Sequence, residues 1–166
     1  MSFSTCDFCD AHKSDGTGAL RVLPGGVFRS YGGITQFSGP VSTVKCFEDN
    51  SLVKSAVESA GQGRVLVVDG AGSLQRALLG GNLAAAAAKN GWAGVLIHGA
   101  VRDLAELAAA QLGILALGHV PMPTERSAQG LADVALQIAG IWVRPGDWLY
   151  ADADGVVVSA SALGLD

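Results

Sequence analysis

The sequence predicts an α/β protein with a central parallel β-α-β core and antiparallel additions. Between residues 65 and 118, apolar runs of strand length alternate with segments of helical character, which is typical of parallel strands joined by helices. Beyond residue 136, the turn sequences Pro145-Gly146-Asp147 and Asp154-Gly155 separate short strands expected at 137–138, 141–144, 148–151 and 156–158. At 166 residues the chain has the length of one domain, which we expect to span 1–166.

The first sixty residues predict two helices and two strands. A short helix is expected over 3–13, a strand over 19–23, and a second strand over 40–47. Asp49 or Asn50 is then expected to cap a helix that reaches about residue 60.

The middle of the chain predicts the alternating core. Strands are expected over 65–68, 94–98 and 114–118, helices over 74–79, 83–89 and 103–111, and a turn over 99–102. Gly80 and Gly81 open the second of these helices, and Gly91 ends it. Because parallel strands bring their carboxyl ends to one edge of a sheet, Asp69 and the Arg102-Asp103 pair should lie near a ligand crevice.

Composition limits the kinds of partner. Apolar residues make up 49% of the chain and charged residues 16%, which suits a compact protein that also buries surface against copies of itself. The net charge of −4 and the scattered basic residues predict no direct binding of nucleic acid. The sequence shows no leader and no membrane-spanning run, which predicts a cytoplasmic protein without a membrane role.

The three cysteines, Cys6, Cys9 and Cys46, argue against a disulfide framework and fit a reducing compartment. Cys6 and Cys9 have the spacing of a zinc or redox motif, and His12 follows three residues later. No second such pair follows and no strand precedes this one, so we interpret the pair as two thiols on a short N-terminal helix.

The pattern that most favours chemistry is Arg102-Asp103-Leu104-Ala105-Glu106, at the end of a predicted strand. If Asp103 begins the next helix, Glu106 lies one turn further on the same face, so both carboxylates can address one hard cation or its waters. Arg102 is then free to grip a carboxylate or an oxyanion of the ligand. The structural alternative is a capping box, in which Asp103 and Glu106 only cap their own helix and Arg102 is a solvated side chain.

The segment Gly80-Gly81-Asn82-Leu83 supplies a second helix start in the same layer, where bare backbone N–H groups can hold an anion. Two helix N-termini, one arginine and two acids suit a small 2-oxo acid. Its carboxylate and keto oxygen chelate a divalent metal, while Arg102 offsets the negative charge of the enolate. Close helix packing is the structural alternative for the glycine pair.

These residues are part of a longer pattern. The chain resembles the RraA-like family along almost its whole length and in the family's order, at 67–72, 77–84, 90–103, 113–118, 145–147 and 150–156. That family includes the regulator of ribonuclease activity A and the class II 4-hydroxy-4-methyl-2-oxoglutarate aldolases, and many of its members have carried a menaquinone methyltransferase name. No glycine loop of the type that binds S-adenosylmethionine is evident in this sequence.

The resemblance implies a swivelling β/β/α fold assembled as a homotrimer, or as a pair of stacked trimers, with active sites at subunit interfaces. It implies Mg²⁺ or Mn²⁺ held directly by Asp103 and otherwise largely by waters, with Arg102 and the backbone from Gly80 to Leu83 binding the substrate. It also implies retro-aldol cleavage of 4-hydroxy-4-methyl-2-oxoglutarate to pyruvate, with oxaloacetate decarboxylation as a side activity. The competing function is a non-enzymatic regulator that binds and inhibits ribonuclease E.

The set Gly81-x20-Arg102-Asp103-x2-Glu106 is intact, which in this family goes with activity on 2-oxo acids and favours an enzyme. Gly81 is the departure, because characterised aldolases of the family place an aspartate there that acts through metal-bound water. Glu106 is then the best remaining group to orient that water. Asp69 also ends a strand near this site, and its structural alternative is a hydrogen bond to the glycine turn that follows it. We interpret His98 and His119 as structural.

Overall fold

The computed structural model describes residues 2–164 and confirms the α/β class. The helices of this part of the chain are α1 (Thr5–His12), α2 (Ser51–Val57), α3 (Gly81–Lys89) and α4 (Leu104–Ala109). The strands of its first half are β1 (Leu20–Val22), β2 (Arg29–Ser30), β3 (Phe37–Lys45), β4 (Val65–Asp69) and β5 (Ala77–Leu79). Those of its second half are β6 (Gly94–Val101), β7 (Gly113–His119), β8 (Leu131–Ala132), β9 (Leu136–Ile138), β10 (Ile141–Val143), β11 (Trp148–Ala151) and β12 (Val156–Ser159).

One large sheet organises the described residues, with the strand order β1-β12-β11-β3-β4-β6-β7-β2. Its centre is the parallel series β3-β4-β6-β7, and β5 lies parallel to the far end of β6. The flanking strands β1, β2, β8, β11 and β12 pair antiparallel, and β9 and β10 form a separate hairpin. The predicted parallel core with antiparallel additions is therefore confirmed.

The central strands are covered on both faces, which explains their continuous apolar sequences. Alternate residues along β4 and β6 point to opposite sides of the sheet. One set packs against the three helices α2, α3 and α4 and comprises Leu66, Val68, Val95 and Ile97. The other set packs against β11, β12 and the β9–β10 hairpin and comprises Val65, Val67 and Leu96. The layers are thus β, β and α, as expected for a swivelling β/β/α domain.

The structure corrects two predicted elements in the middle of the chain. Residues 74–79 were expected to be helical, but Ala77–Leu79 form strand β5, whose side chains are all buried. The strand expected to end at residue 98 continues to Val101, so the predicted turn over 99–102 is wrong. Both differences have one cause, since β5 pairs with the extension of β6 through Ala77 opposite Ala100 and Leu79 opposite Val101.

The remaining elements agree in type with the prediction and differ mainly at their ends. α2 stops at Val57 rather than near residue 60, and α4 stops at Ala109. The two-residue strands β2 and β8 have no sequence signal of their own, because each is fixed only by the longer strand beside it. Among the described residues, no helix combines the length and apolar character needed to cross a lipid bilayer.

Candidate active site

The carboxyl ends of four parallel strands meet at one edge of the sheet. Asn50 follows β3, Gly80 follows β5, Arg102 follows β6, and Arg126 lies in the segment that follows β7. Residues from all four places line one cavity of about 390 Å³. The predicted crevice at the strand ends is therefore present, and its size is typical of sites for small ligands.

Asp103 connects two helices at the rim of this cavity. It stands directly before α4 with left-handed backbone angles, φ 61° and ψ 51°, a conformation that Asp tolerates better than most residues. Its side chain makes no capping bond to α4. Instead Oδ2 accepts a hydrogen bond of 2.9 Å from the N–H of Gly81, the first residue of α3. The capping-box alternative is therefore wrong, because Asp103 caps the neighbouring helix.

Glu106 lies against the same glycine. A Cβ built on Gly81 would overlap the Oε2 atom of Glu106 and would lie 2.6 Å from its Cδ. The Glu106 carboxylate thus occupies the space into which a side chain at position 81 would extend. Both acids of the predicted motif converge on Gly81, and the glycine at this position is what allows Glu106 to approach.

Arg102 packs beside the other glycine of the pair. Its Nε lies 4.0 Å from Oδ2 of Asp103, and its Nη1 donates a 3.4 Å hydrogen bond to the carbonyl of Pro121. A Cβ on Gly80 would lie 2.6 Å from Asp103 Oδ2 and 3.3 Å from Arg102 Nε. The side chains of Arg102 and Asp103 are each 40% exposed, so both remain accessible from the cavity.

The first turn of α3 supplies backbone donors. Ala84 N–H bonds to the carbonyl of Gly80, so the earlier N–H groups of the helix have no helical acceptor. Asp103 takes the N–H of Gly81, which leaves those of Asn82 and Leu83 for a ligand. Asn82 and Leu83 both line the cavity, as does Gly80. One backbone donor of the predicted substrate-binding segment 80–83, the Gly81 N–H, is therefore already bonded within the protein.

Sequence reasoning missed five residues of the cavity wall, of which three are polar: Asn50, Thr124 and Arg126. Asn50 was expected only as a helix cap, yet it makes no side-chain capping bond to α2. Its Oδ1 accepts from Arg126 Nε at 3.1 Å and from Thr124 Oγ1 at 2.8 Å, while its Nδ2 donates to the carbonyl of Leu78. The sequence could have indicated these residues by their position, because each follows the carboxyl end of a parallel strand.

The donor set suits a hard divalent cation that keeps most of its waters. Within residues 2–164, no three His, Cys, Asp or Glu side chains form a cluster able to enclose a metal. Asp103 uses Oδ2 for the Gly81 N–H, which leaves Oδ1 to bind a cation, and Glu106 lies beside the same glycine. One or two carboxylates with water and substrate oxygens is the coordination that Mg²⁺ prefers.

The other residues considered in the sequence lie outside the cavity. Asp69 was expected near the crevice but does not line the cavity. Its Oδ1 accepts a 2.9 Å bond from Ala71 N–H, which is the structural alternative. The rings of His98 and His119 pack edge-on against Phe28 and Tyr31.

The cysteines are also remote from the cavity. Cys6 and Cys9 lie on α1, and Cys46 is buried next to β3. Burial raises the pKa of the Cys46 thiol to about 12, and the Asp154 carboxylate raises that of Cys6.

Comparison with known proteins places this geometry in a family. A protein of Albidiferax ferrireducens, provisionally named 4-hydroxy-4-methyl-2-oxoglutarate aldolase, is 66% identical over 170 residues, covering 98% of each chain. The structure of the RNA-processing inhibitor RraA from Thermus thermophilus aligns with a TM-score of 0.92 and 44% identity, covering 99% of this chain and 97% of its own. A Geobacillus kaustophilus structure, solved under the name S-adenosylmethionine:2-dimethylmenaquinone methyltransferase, aligns with a TM-score of 0.89 and 47% identity over 97% of both chains. The sequence profile described as RraA-like, aldolase/RraA, matches residues 5–158, and the chain belongs to this family.

Proposed function

We propose that the chain is a divalent-metal-dependent lyase that cleaves a carbon–carbon bond next to a 2-oxo acid. Its substrates would be 4-hydroxy-4-methyl-2-oxoglutarate, split into two pyruvates, and oxaloacetate, split into pyruvate and carbon dioxide. The observation that carries the proposal is the convergence of Arg102, Asp103 and Glu106 on Gly80 and Gly81 beside a cavity. The provisional aldolase name of the 66% identical relative supports the same reaction class.

In this proposal each residue has a defined task. Asp103 holds Mg²⁺ or Mn²⁺, which when bound polarises the keto oxygen of the substrate. The N–H groups of Asn82 and Leu83 bind the carboxylate next to the keto group. The Arg102 guanidinium offsets the negative charge that develops on the enolate oxygen.

Glu106 is the general base of the aldol cleavage in this proposal. It accepts, directly or through one water, the proton of the C4 hydroxyl. The C3–C4 bond then breaks, its electron pair becomes the enolate of pyruvate, and a proton later adds to C3. Decarboxylation of oxaloacetate breaks the corresponding bond without a hydroxyl proton to remove. Loss of Glu106 should therefore reduce aldol cleavage more than decarboxylation.

The test is pyruvate release from both substrates, with Mg²⁺ and with chelator, by the wild type and two variants. Asp103→Asn keeps an oxygen to accept the Gly81 N–H but loses the charge, so the fold should persist while metal-dependent turnover disappears. Asp69→Asn is the matched control, because Asp69 also ends a strand but lies outside the cavity. Free metal decarboxylates oxaloacetate unaided, so a wild type that only equals the metal blank would reject the proposal.

Assembly and location are part of the same proposal. We infer a homotrimer or a pair of trimers in the cytoplasm. Large apolar side chains are exposed in the single chain, among them Met122 at 52% and Leu104 at 38%, which adjoin cavity residues in the sequence, and Phe47 at 65%. A contact between copies would cover such side chains. Sedimentation equilibrium of the purified protein tests this, and a monomer at micromolar concentration would contradict it.

The second candidate is a regulator that binds ribonuclease E and inhibits it. The observation favouring it is the close structural match to the RNA-processing inhibitor RraA, at a TM-score of 0.92. Capture of ribonuclease E by the purified protein, combined with absent lyase activity, would favour this function over the first. Capture together with metal-dependent turnover would show that one chain performs both.

A further inference from the structure

The proposed chemistry assigns no function to Arg126, the second arginine that lines the cavity. Arg126 lines the same cavity as Arg102, and its side chain is exposed. In the part of the chain that the structure describes, Arg126 pairs with no carboxylate. Its Nε donates to Asn50 Oδ1 at 3.1 Å, so one edge of the guanidinium is held by a buried amide. No hydrogen bond joins its two terminal nitrogens to another of the residues 2–164, so both can bind an anion.

The segment carrying Arg126 has no regular secondary structure, yet it is held at several places. Ser127 N–H and Gln129 N–H donate to Oδ2 of Asp49, at 2.9 and 3.2 Å. Ala128 N–H donates to Oγ of Ser51 at 3.1 Å. Three consecutive backbone donors directly after Arg126 therefore point at one carboxylate and one hydroxyl.

Asp49 is a buried carboxylate whose two oxygens accept four hydrogen bonds. It is only 5% exposed, and its Oδ1 accepts from both the N–H and the Oγ of Ser51, at 2.9 and 2.6 Å. Desolvation acts to raise the pKa of Asp49, but the hydrogen bonds from Ser51, Ser127 and Gln129 outweigh it and lower the pKa to about 2. The carboxylate is thus ionised throughout the ordinary pH range and has its charge satisfied by backbone and hydroxyl donors.

The charges of the cavity indicate what Arg126 would bind. The ionisable groups that line the cavity are Arg102, Arg126 and Asp103, and Glu106 lies beside Gly81 next to it, so two cations face two carboxylates. A divalent cation held by Asp103 would then leave an excess of two positive charges, which a dicarboxylate neutralises. A 2-oxo acid with one carboxylate uses the α3 backbone and Arg102 and leaves Arg126 unpaired. A dicarboxylate fills both positions, and a planar guanidinium binds a carboxylate with two parallel hydrogen bonds.

We propose that Arg126 binds the second carboxylate of a dicarboxylic 2-oxo acid and that Asp49 is the positioning residue that holds Arg126 in place. This inference rests on the proposed use of the cavity by 2-oxo acids. It makes Arg126 the determinant of substrate choice and assigns Asp49 a role in substrate binding that acts through Arg126.

The first experiment compares two substrates that differ only at the second carboxylate. 4-Hydroxy-4-methyl-2-oxoglutarate yields two pyruvates, whereas 4-hydroxy-4-methyl-2-oxopentanoate has a methyl group in place of that carboxylate and yields pyruvate and acetone. The readout is the ratio of kcat/KM for the two substrates. A residue with a merely structural role would lower both values together and leave the ratio unchanged.

Arg126→Ala should lower this ratio about tenfold to a hundredfold, the range for a charge-assisted hydrogen-bonded contact, with most of the effect in KM. Its rate on the methyl analogue should stay within about threefold of wild type. Asp49→Asn should lower the ratio in the same direction by a smaller factor, because an amide nitrogen would face backbone donors. Asp152→Asn is the matched control, since Asp152 accepts bonds from Thr5 and lies outside the cavity.

A binding experiment separates this inference from the proposed reaction. Calorimetric titration with 2-oxoglutarate and with 2-oxopentanoate, in the presence of Mg²⁺, compares a dicarboxylate and a monocarboxylate without requiring turnover. Tighter binding of 2-oxoglutarate by wild type, lost in Arg126→Ala and weakened in Asp49→Asn, supports the inference even if no substrate is cleaved. Equal binding of the two acids by wild type, or no binding of either, overturns it.

Two further results would also overturn it. An unchanged ratio in Arg126→Ala would show that Arg126 does not contact the second carboxylate. An equal loss on both substrates in Asp49→Asn would show that Asp49 only supports the fold. If Asp49→Asn does not fold, Ser51→Ala replaces it, because Ser51 bonds both Asp49 and Ala128. A folded Ser51→Ala with a wild-type ratio would then count against the positioning role.

Discussion

Replacement of Gly81 by alanine should move the Glu106 carboxylate while leaving the fold intact. The new Cβ would overlap Oε2 of Glu106 and lie 2.6 Å from its Cδ and 3.0 Å from its Cβ. Carbon atoms in contact normally lie about 3.5–4.0 Å apart, so Cδ of Glu106 must retreat by about 1 Å and the overlapping Oε2 by more. Glu106 is exposed and its side chain has three rotatable bonds, so it can rotate away at little cost in stability.

The expected loss of activity follows from that distance. A misplacement of about 1 Å in a reacting group can cost about a hundredfold in rate, and a general base contributes about 10²–10⁴-fold in total. Gly81→Ala should therefore lower kcat for the aldol substrate about a hundredfold. Alanine is the better helix former by up to about 1 kcal/mol, which offsets the cost of the overlap in the free energy of unfolding.

The assay is a double-mutant cycle on pyruvate release, with urea unfolding of each variant. Gly81→Ala/Glu106→Ala should be no slower than Glu106→Ala alone, because the second change has no carboxylate left to displace. In the Glu106→Ala background, alanine at position 81 should raise stability. A Gly81→Ala enzyme within threefold of wild type, beside a Glu106→Ala enzyme that is a hundredfold slower, would refute the reasoning.

Three further predictions follow from other contacts. Arg102→Lys should lower kcat/KM much more than it lowers the melting temperature, because an ammonium group loses the planar geometry of guanidinium; full activity would remove Arg102 from the mechanism. The pKa of Asp49 is depressed to about 2 from an unfolded value of about 3.9, so its contribution to stability is present above about pH 4 and lost as the pH falls towards 2. Urea unfolding should therefore show that wild type has a higher free energy of unfolding than Asp49→Asn at pH 5 and that this difference disappears near pH 2. A difference that stays constant with pH would contradict this account. Maleimide at pH 7 should modify the exposed Cys6 in the native protein and the buried Cys46, whose pKa is raised to about 12, only in denaturant; mass spectrometry of the labelled peptides decides the point.

The sequence predicted the parts of the site that depend on local pattern. The spacing of Asp103 and Glu106 placed both acids on one side of α4, and the glycine pair marked the start of α3. The structure brings these two predictions together at Gly81, where Asp103 bonds to the backbone and the Glu106 carboxylate takes the space of a side chain.

The parts that were not predicted depend on contacts between distant segments. Ala77-Leu78-Leu79 is too short an apolar run to distinguish strand from helix, and it becomes a strand because β6 lies beside it. The bond from Gly81 N–H to Asp103 joins residues 22 positions apart, which no local capping rule anticipates. Arg126 lies in a segment without regular structure, and the residues that follow it bond to Asp49, 78 and 80 positions earlier in the chain.

The cavity draws its wall from the ends of four strands that are widely separated in the chain, near residues 50, 80, 102 and 126. None of these segments can form the cavity until the parallel strands have paired in order, and parallel pairing requires slow closure of long loops. Helix formation in α2 and α3 needs only nearby residues and is far faster. During refolding, recovery of ligand binding should therefore lag behind recovery of the far-ultraviolet circular dichroism signal. A ligand that binds only the completed cavity stabilises the fully paired sheet relative to the unfolded and partly folded states.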